Sequence, residues 1–232
     1  MKRTFRALAA LALSLLLAGC GGIFRQPSTL GESYPRMYSD PPASILILPP
    51  VNLTGDERAG DYFACTLAEA VGLKGYYVFP VETSYAVLRD QELYTESRPD
   101  SVQLAQINRF FQADAVLITT LYDWGKSYGL LSPGYLAVDA GFELRSLANG
   151  STLWEYRNVA EIVLGSDENN VIAAMIDSAI KTARLRKFPE TRRINIQTFR
   201  KALPYGRYHP KIGANNTNPI EFDKQGSYDV EL

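Results

Sequence analysis

The sequence is short of the residues from which most catalytic and metal centres are built, with one histidine, two cysteines and three methionines. A lone imidazole, His209, removes most histidine-based metal sites and nearly every Ser-His-Asp arrangement. Two cysteines rule out a disulfide-rich scaffold. Neither sign of charge dominates, since 24 Lys and Arg stand against 25 Asp and Glu. That balance gives no basic face for a nucleic-acid partner, and none is expected. A long apolar run is also lacking at the N-terminus. The stretch from Ala7 to Leu17, broken only by Ser14, has about 11 residues, where a membrane-spanning helix needs roughly 20.

What that stretch does fit is the apolar centre of an export signal. Lys2, Arg3 and Arg6 supply a basic start, and residues 1–19 read as a signal peptide outside the fold. It ends in Leu17-Ala18-Gly19-Cys20 followed by Gly21-Gly22, which resembles the lipobox of bacterial lipoproteins. Small residues at 18 and 19 let an extended backbone enter a narrow protease cleft, and the Cys20 thiol is the group that accepts diacylglycerol. The resemblance implies no cofactor beyond covalent diacylglycerol and an N-acyl chain on Cys20. Two or more chains anchor stably where one binds only marginally, so the lipid bilayer is an expected partner. Gly21 stands where many Gram-negative lipoproteins carry an inner-membrane retention aspartate. The expected location is therefore the periplasmic face of the outer membrane.

Cleavage leaves 213 residues and takes the net charge from −1 to −4. Cys65 then has no cysteine to pair with, and its setting, Tyr62-Phe63-Ala64-Cys65-Thr66-Leu67, predicts a buried structural thiol. Residues 20–43 hold Pro27, Pro41 and Pro42 with few aliphatics and read as a tether. An α/β domain is expected over 44–188. Residues 189–232, with four prolines and Asn215-Asn216-Thr217-Asn218, read as an extension. It either wraps the domain through Phe199, Tyr205, Tyr208 and Phe222 or is partly disordered.

Within the domain, Ile45-Leu46-Ile47-Leu48 before Pro49-Pro50 predicts a strand buried on both faces. Phe63, Leu67 and Val71 give one apolar face to a helix from about Glu57 to Val71. A strand at 76–79 and a short helix over 84–89, capped by Thr83 or Ser84, follow. Leu104, Ile107 and Phe111 mark a helix capped by Ser101, and residues 115–121 a clear strand. Trp124 to Gly134 reads as a glycine-containing excursion. Beyond it Leu136, Val138, Ala140, Phe142 and Leu144 alternate with Asp139, Glu143 and Arg145. That pattern predicts a half-exposed antiparallel strand, turned at Asn149-Gly150 into a partner over 152–159. A last helix is expected over 169–186. The fold class is α/β, a mixed sheet with helices on its faces, ending in an antiparallel hairpin plus a C-terminal helix.

Three segments in this order resemble a family of periplasmic α/β domains: Ile45–Pro49 with Asn52–Asp56, Ala113–Ile118, and Val138–Glu155. The family includes the N-terminal domain of the Tol-Pal propeller protein, the curli-secretion channel lipoprotein and lipoprotein activators of penicillin-binding proteins. Tyr34-Pro35 and Leu203–Lys211 bring the chain nearest a group of uncharacterised proteobacterial lipoproteins. The resemblance implies binding and scaffolding rather than catalysis, with envelope proteins as partners, among them a curli-channel-like lipoprotein. A regulator of a peptidoglycan synthase is the alternative, and an envelope hydrolase a second. The long amphipathic strand pair of the channel lipoprotein is absent, so a pore is not implied.

Candidate sites are few. Asp56, Glu57 and Asp61 cluster at a helix start, where the helix dipole favours acids without any catalytic role. Asn52, Thr54 and Gly55 form a candidate ligand loop at the carboxyl edge of the first strand, or else bond their own turn. Trp124, Tyr128, Leu130 and Leu131 suit a partner-docking surface if exposed, and fold back over the sheet if not. Cations at 184, 186, 187, 192 and 193 suit a helix end. A homo-oligomer formed by sheet extension stays open.

Overall fold

The computed structural model describes residues 29–127, 134–164, 187–220 and 226–227. Two four-residue helices, α1 (Leu30–Ser33) and α2 (Arg36–Ser39), lead into β1 (Ser44–Ile47) and β2 (Val51–Asn52). Then come α3 (Ala59–Gly72), β3 (Tyr77–Val78), α4 (Val81–Asp90) and α5 (Ser101–Phe111). The long strands β4 (Ala115–Ser127), β5 (Gly134–Ser146) and β6 (Thr152–Leu164) follow, then α6 (Lys187–Ala202) and β7 (Gly226–Ser227). The strand order is β3-β1-β4-β5-β6-β7, with β2 pairing β4. Strands β1, β2 and β3 run parallel to their neighbours, while β4, β5 and β6 are antiparallel. The expected mixed α/β sheet is what forms.

Strand β1 is buried on both faces, as its unbroken apolar run predicts. Ile45 and Ile47 enter the core beneath α3 and α6, and Leu46 enters a second core beneath α4 and α5. Asp114 pins its start. One carboxylate oxygen accepts the Ala43 and Ser44 amides and the Ser44 hydroxyl, each at 2.9 Å. That grip gives the alanine-aspartate element before β4 a physical role. At the same end of the sheet, in the β5–β6 turn, Gly150 adopts φ +69°, the left-handed turn conformation that favours glycine. Arg145 donates to its carbonyl at 2.9 and 3.1 Å.

Several expectations shift. The segment over 20–43 is not all tether, because Leu30 and Met37 are buried and Tyr38 packs against the main core. A capping box between Thr29 and Glu32 starts α1. Helix α4 starts after Pro80, three residues before the expected cap. Asp100, not Ser101, caps α5, in a box with Gln103. The Trp124–Gly134 excursion is in its flanks a continuation of β4 and β5, which pair out to Ser127 and Tyr135. The expected helix over 169–186 lies outside the described residues.

Helix α6 lies mostly in the segment read as an extension. Of the two readings of that segment, wrapping the domain holds for the buried Phe199, while Tyr208 is exposed and Phe222 lies outside the described residues. Pro189 falls in the first turn of α6, where no intrahelical N–H is needed. Its buried face carries Ile194 and Phe199 beside Thr191, Asn195 and Thr198. Asn195 donates to Thr66 on α3 at 2.8 Å, and Asn158 on β6 donates to Thr198 at 2.8 Å. The Trp154 indole N–H donates to the Ala202 carbonyl at 3.0 Å. The helix docks through buried hydrogen bonds, so its inner face is half polar.

Candidate functional site

Helices α3 and α6 cover one face of β4–β5–β6, and α4 and α5 cover the other face only over β1 and the start of β4. Outward-facing residues of the three antiparallel strands are left as a polar surface. Ile118, Glu143 and Glu155 stand side by side in the register, as do Thr120, Gly141 and Arg157. A register shift between Leu121 and Asp123 marks a bulge, and Tyr122 at the bulge is exposed. Gly141 makes room for its ring. A Cβ there would lie 3.2 Å from Tyr122 Cε2.

The polar groups are coupled in two sets. Arg157 lies 4.3 Å above the Tyr122 ring and grips Asp139 through both carboxylate oxygens, at 2.8 and 2.7 Å. The Asp139 contact holds its guanidinium further toward the charged form than usual. Glu143 accepts the Thr152 hydroxyl at 2.9 Å and faces both Arg98 and Arg145. Arg98 comes from the loop before α5, so an ion pair joins that loop to the sheet. On the other side the Tyr34 hydroxyl donates to the Glu155 carbonyl at 2.7 Å. Burial, then the Glu155 charge, raises the Tyr34 phenol above its ordinary range.

Together these side chains wall an open groove of about 630 Å³, with Tyr34, Arg98, Thr120, Tyr122, Glu155 and Ile220 among its lining. Its open side offers the phenols of Tyr34 and Tyr122, the guanidinium groups of Arg98 and Arg157, and the carboxylates of Glu143 and Glu155, of which Glu143 pairs with Arg98. Such a surface binds by shape and hydrogen bonding rather than by attracting one sign of charge. Part of its floor is legible in the sequence: the alternation puts Glu143 outward, on the face it shares with Asp139 and Arg145. Tyr34, Arg98 and Ile220 come from distant chain segments, and no local pattern could place them there.

The residues singled out from sequence fare unevenly. Cys20, Tyr128, Leu130 and Leu131 lie outside the described residues. Trp124 is 3% exposed, with its ring edge-on to Phe63 at 5.6 Å. Of the two readings of that loop, folding back holds for Trp124. Asn52 is used by its own loop: its carbonyl accepts the Thr54 amide and hydroxyl at 3.1 and 2.7 Å, and its amide donates to Asp56 at 2.8 Å. Gly55 lies in that same turn, with open space where a Cβ would be. Asp56 accepts the Arg58 amide at 3.1 Å, a helix-start role.

Cys65 is exposed, against expectation. Phe63, Ala64, Thr66 and Leu67 take the inward positions of α3, and helical spacing turns Cys65 out. Burial raises its thiol pKa, and Asp61 and Glu82 add to the shift. His209 stacks on Tyr205 at 4.0 Å and accepts the Lys211 amide through Nδ1 at 3.0 Å. Burial, Lys74 and Lys211 lower its pKa, which favours a neutral, structural ring. Among the described residues no group of three or more His, Cys, Asp or Glu is placed to hold a metal ion. Nor is any described helix long and apolar enough to cross a membrane.

Known proteins are similar to this chain. A Neisseria meningitidis serogroup B protein described as "Putative lipoprotein NMB1124/NMB1162" is 28% identical over 149 residues, covering 63% of this chain and 68% of that relative. The crystal structure of lipoprotein GNA1162 from Neisseria meningitidis covers 62% of this chain and 99% of its own, at 24% identity and a TM-score of 0.50. The LpoB C-terminal domain from Escherichia coli covers 50% of this chain and 81% of its own, at 13% identity and a TM-score of 0.38. A family model described as "Putative lipoprotein GNA1162-like" matches residues 33–199, and the chain belongs to that lipoprotein family.

Proposed function

We propose that this protein is a non-catalytic interaction module, held by acyl chains on Cys20 at the periplasmic face of the outer membrane. It binds another envelope protein as an accessory to a curli-channel-like secretion system. The observation that carries this reading is the open groove over β4–β5–β6, walled by Tyr34, Arg98, Tyr122 and Glu155. Arg98 is paired with Glu143 and Arg157 with Asp139, and none of the groove's described side chains is placed as a nucleophile beside a base. Membership of a lipoprotein family and the Leu17–Cys20 motif support the anchor. Regulation of a peptidoglycan synthase is the second reading, which the same surface serves equally well.

A photo-crosslinking amino acid in place of Tyr122, introduced in living cells, tests the proposal. The expected result is an adduct with a secretion-channel lipoprotein, missing when the crosslinker replaces the buried Trp124. Capture of a penicillin-binding protein and no channel lipoprotein would replace the first reading by the second. Palmitate labelling that disappears on Cys20→Ser is the matching test of the anchor.

A further inference from the structure

The folded chain begins much closer to Cys20 than the sequence suggests. Thr29 starts the described structure, nine residues after Cys20. At full extension those residues span about 32 Å. Leu30 and Gly31 are fixed at once, donating to the Asn218 and Asn216 carbonyls at 2.9 and 2.8 Å. The chain therefore enters the domain beside the turn-rich segment 207–217.

That segment presents a distinctive surface. Tyr208 is 67% and Ile212 49% exposed, with Arg207 and Lys211 exposed between and beside them. Leu73, 58% exposed, projects from the adjoining turn, which the bonds Gly206 N–H to Lys74 and Tyr208 N–H to Gly75 hold in place at 2.8 and 3.0 Å. The turn is rigid. Gly75 has φ +82°, and a Cβ there would lie 2.4 Å from His209. A Cβ on Gly206 would lie 2.6 Å from the Gly75 carbonyl. Asp40 pairs loosely with Arg207 at 3.4 Å, and Glu69, one turn before Leu73, is paired with Arg192.

We propose that Leu73, Arg207, Tyr208, Lys211 and Ile212 form a second membrane contact that lays the domain against an anionic lipid surface. The combination suits the headgroup layer: aliphatic side chains for its apolar side, a phenol at the boundary and cations for lipid phosphates. Ile212 is four residues from Asn216, about 14 Å along the chain. The patch thus lies within the reach that the nine residues after Cys20 allow. One weak contact adds usefully to an anchor because tethering makes its binding intramolecular. The inference rests on the Cys20 anchor of the proposed function, and it changes the geometry: the module lies on the membrane rather than ranging through the periplasm.

The test uses the chain from residue 20 carrying Cys20→Ser, which retains every described residue. Flotation with vesicles of phosphatidylethanolamine and phosphatidylglycerol should capture it, and vesicles of phosphatidylcholine alone should not. Arg207→Gln with Lys211→Gln should weaken binding about thirty-fold, roughly five-fold per cation. Tyr208→Ser with Ile212→Ser should weaken it further on the same vesicles. Asp40→Asn breaks the same ion pair as Arg207→Gln yet should bind at least as tightly, since it removes only a negative charge. No capture, or capture indifferent to the paired substitutions, overturns the proposal, as it would if the patch served a protein instead. Palmitate labelling of cells reads the anchor separately. A labelled chain without vesicle capture sinks the patch alone, and an unlabelled chain with patch-dependent capture sinks the anchor alone.

Discussion

The two faces of the antiparallel strands are built to different rules. Inward, Val138, Ala140, Phe142 and Leu144 meet Trp154, Phe63 and Phe199 in one dry core, and buried area is the main stabilising term. Outward, Arg157 pairs with Asp139 and Arg98 with Glu143 at the solvent boundary, where exposed ion pairs contribute little. A face that contributes little to stability is free to vary its chemistry for recognition. The inner face has no such freedom.

Substitutions can break or sharpen that contrast. The largest effect is expected at Trp154, which is fully buried and also bonds the end of α6. Trp154→Ala should cost about 3–5 kcal/mol, read as a shift of the urea midpoint. Asn195→Ala should cost about 1–3 kcal/mol, because it strips a buried partner from Thr66. A double-mutant cycle with Thr66→Val should then show strong non-additivity; additive losses would mean that the bond contributes nothing.

Lys74 gives a pH signature. It is 3% exposed, its Nζ lies 4.0 Å above the Tyr205 ring, and burial lowers its pKa to about 8. The unfolded chain keeps that proton to near 10.4, so between about pH 8 and pH 10 it binds more protons than the folded one. Stability should therefore rise with pH across this window. Above it the gain is opposed, because the buried phenols of Tyr76 and Tyr85 have pKa values raised by burial and ionise first in the unfolded chain. Lys74→Met should flatten the rise, as measured by denaturation at a series of pH values. The smallest effect belongs to the outer face. Asp139→Asn should cost less than about 1 kcal/mol, a difference that shrinks further in high salt.

The same contrast explains what could be read in advance. Strand β1, helix α3 and the β5–β6 hairpin each carry their own signal: an unbroken apolar run, a four-residue repeat, and alternation closed by Asn149-Gly150. Their buried faces are mainly apolar, with Thr66 and Asn158 as exceptions, so periodicity finds them. Helix α6 defeats that test. Thr191, Asn195 and Thr198 are buried yet polar, and the partners of Asn195 and Thr198 lie on α3 and β6, far off in sequence. Cys65 fails for a related reason, since an apolar neighbourhood along the chain does not say which way a single helical position points. The groove mixes the two cases, with its floor legible by alternation and its walls supplied by Tyr34, Arg98 and Ile220 from elsewhere.

The sequence by itself determined the strands and helices whose faces repeat within a few residues, along with the lipobox-like motif that ends at Cys20. Both are local patterns, readable wherever neighbouring residues carry the whole signal. Only the tertiary structure decided that α6 belongs to the core, that Trp124 turns inward, and that Asn216 and Asn218 seize the chain just after Thr29. Those outcomes depend on hydrogen bonds and packing between residues up to 188 positions apart, as between Leu30 and Asn218. Such partners share no periodicity, and only the folded chain brings them together.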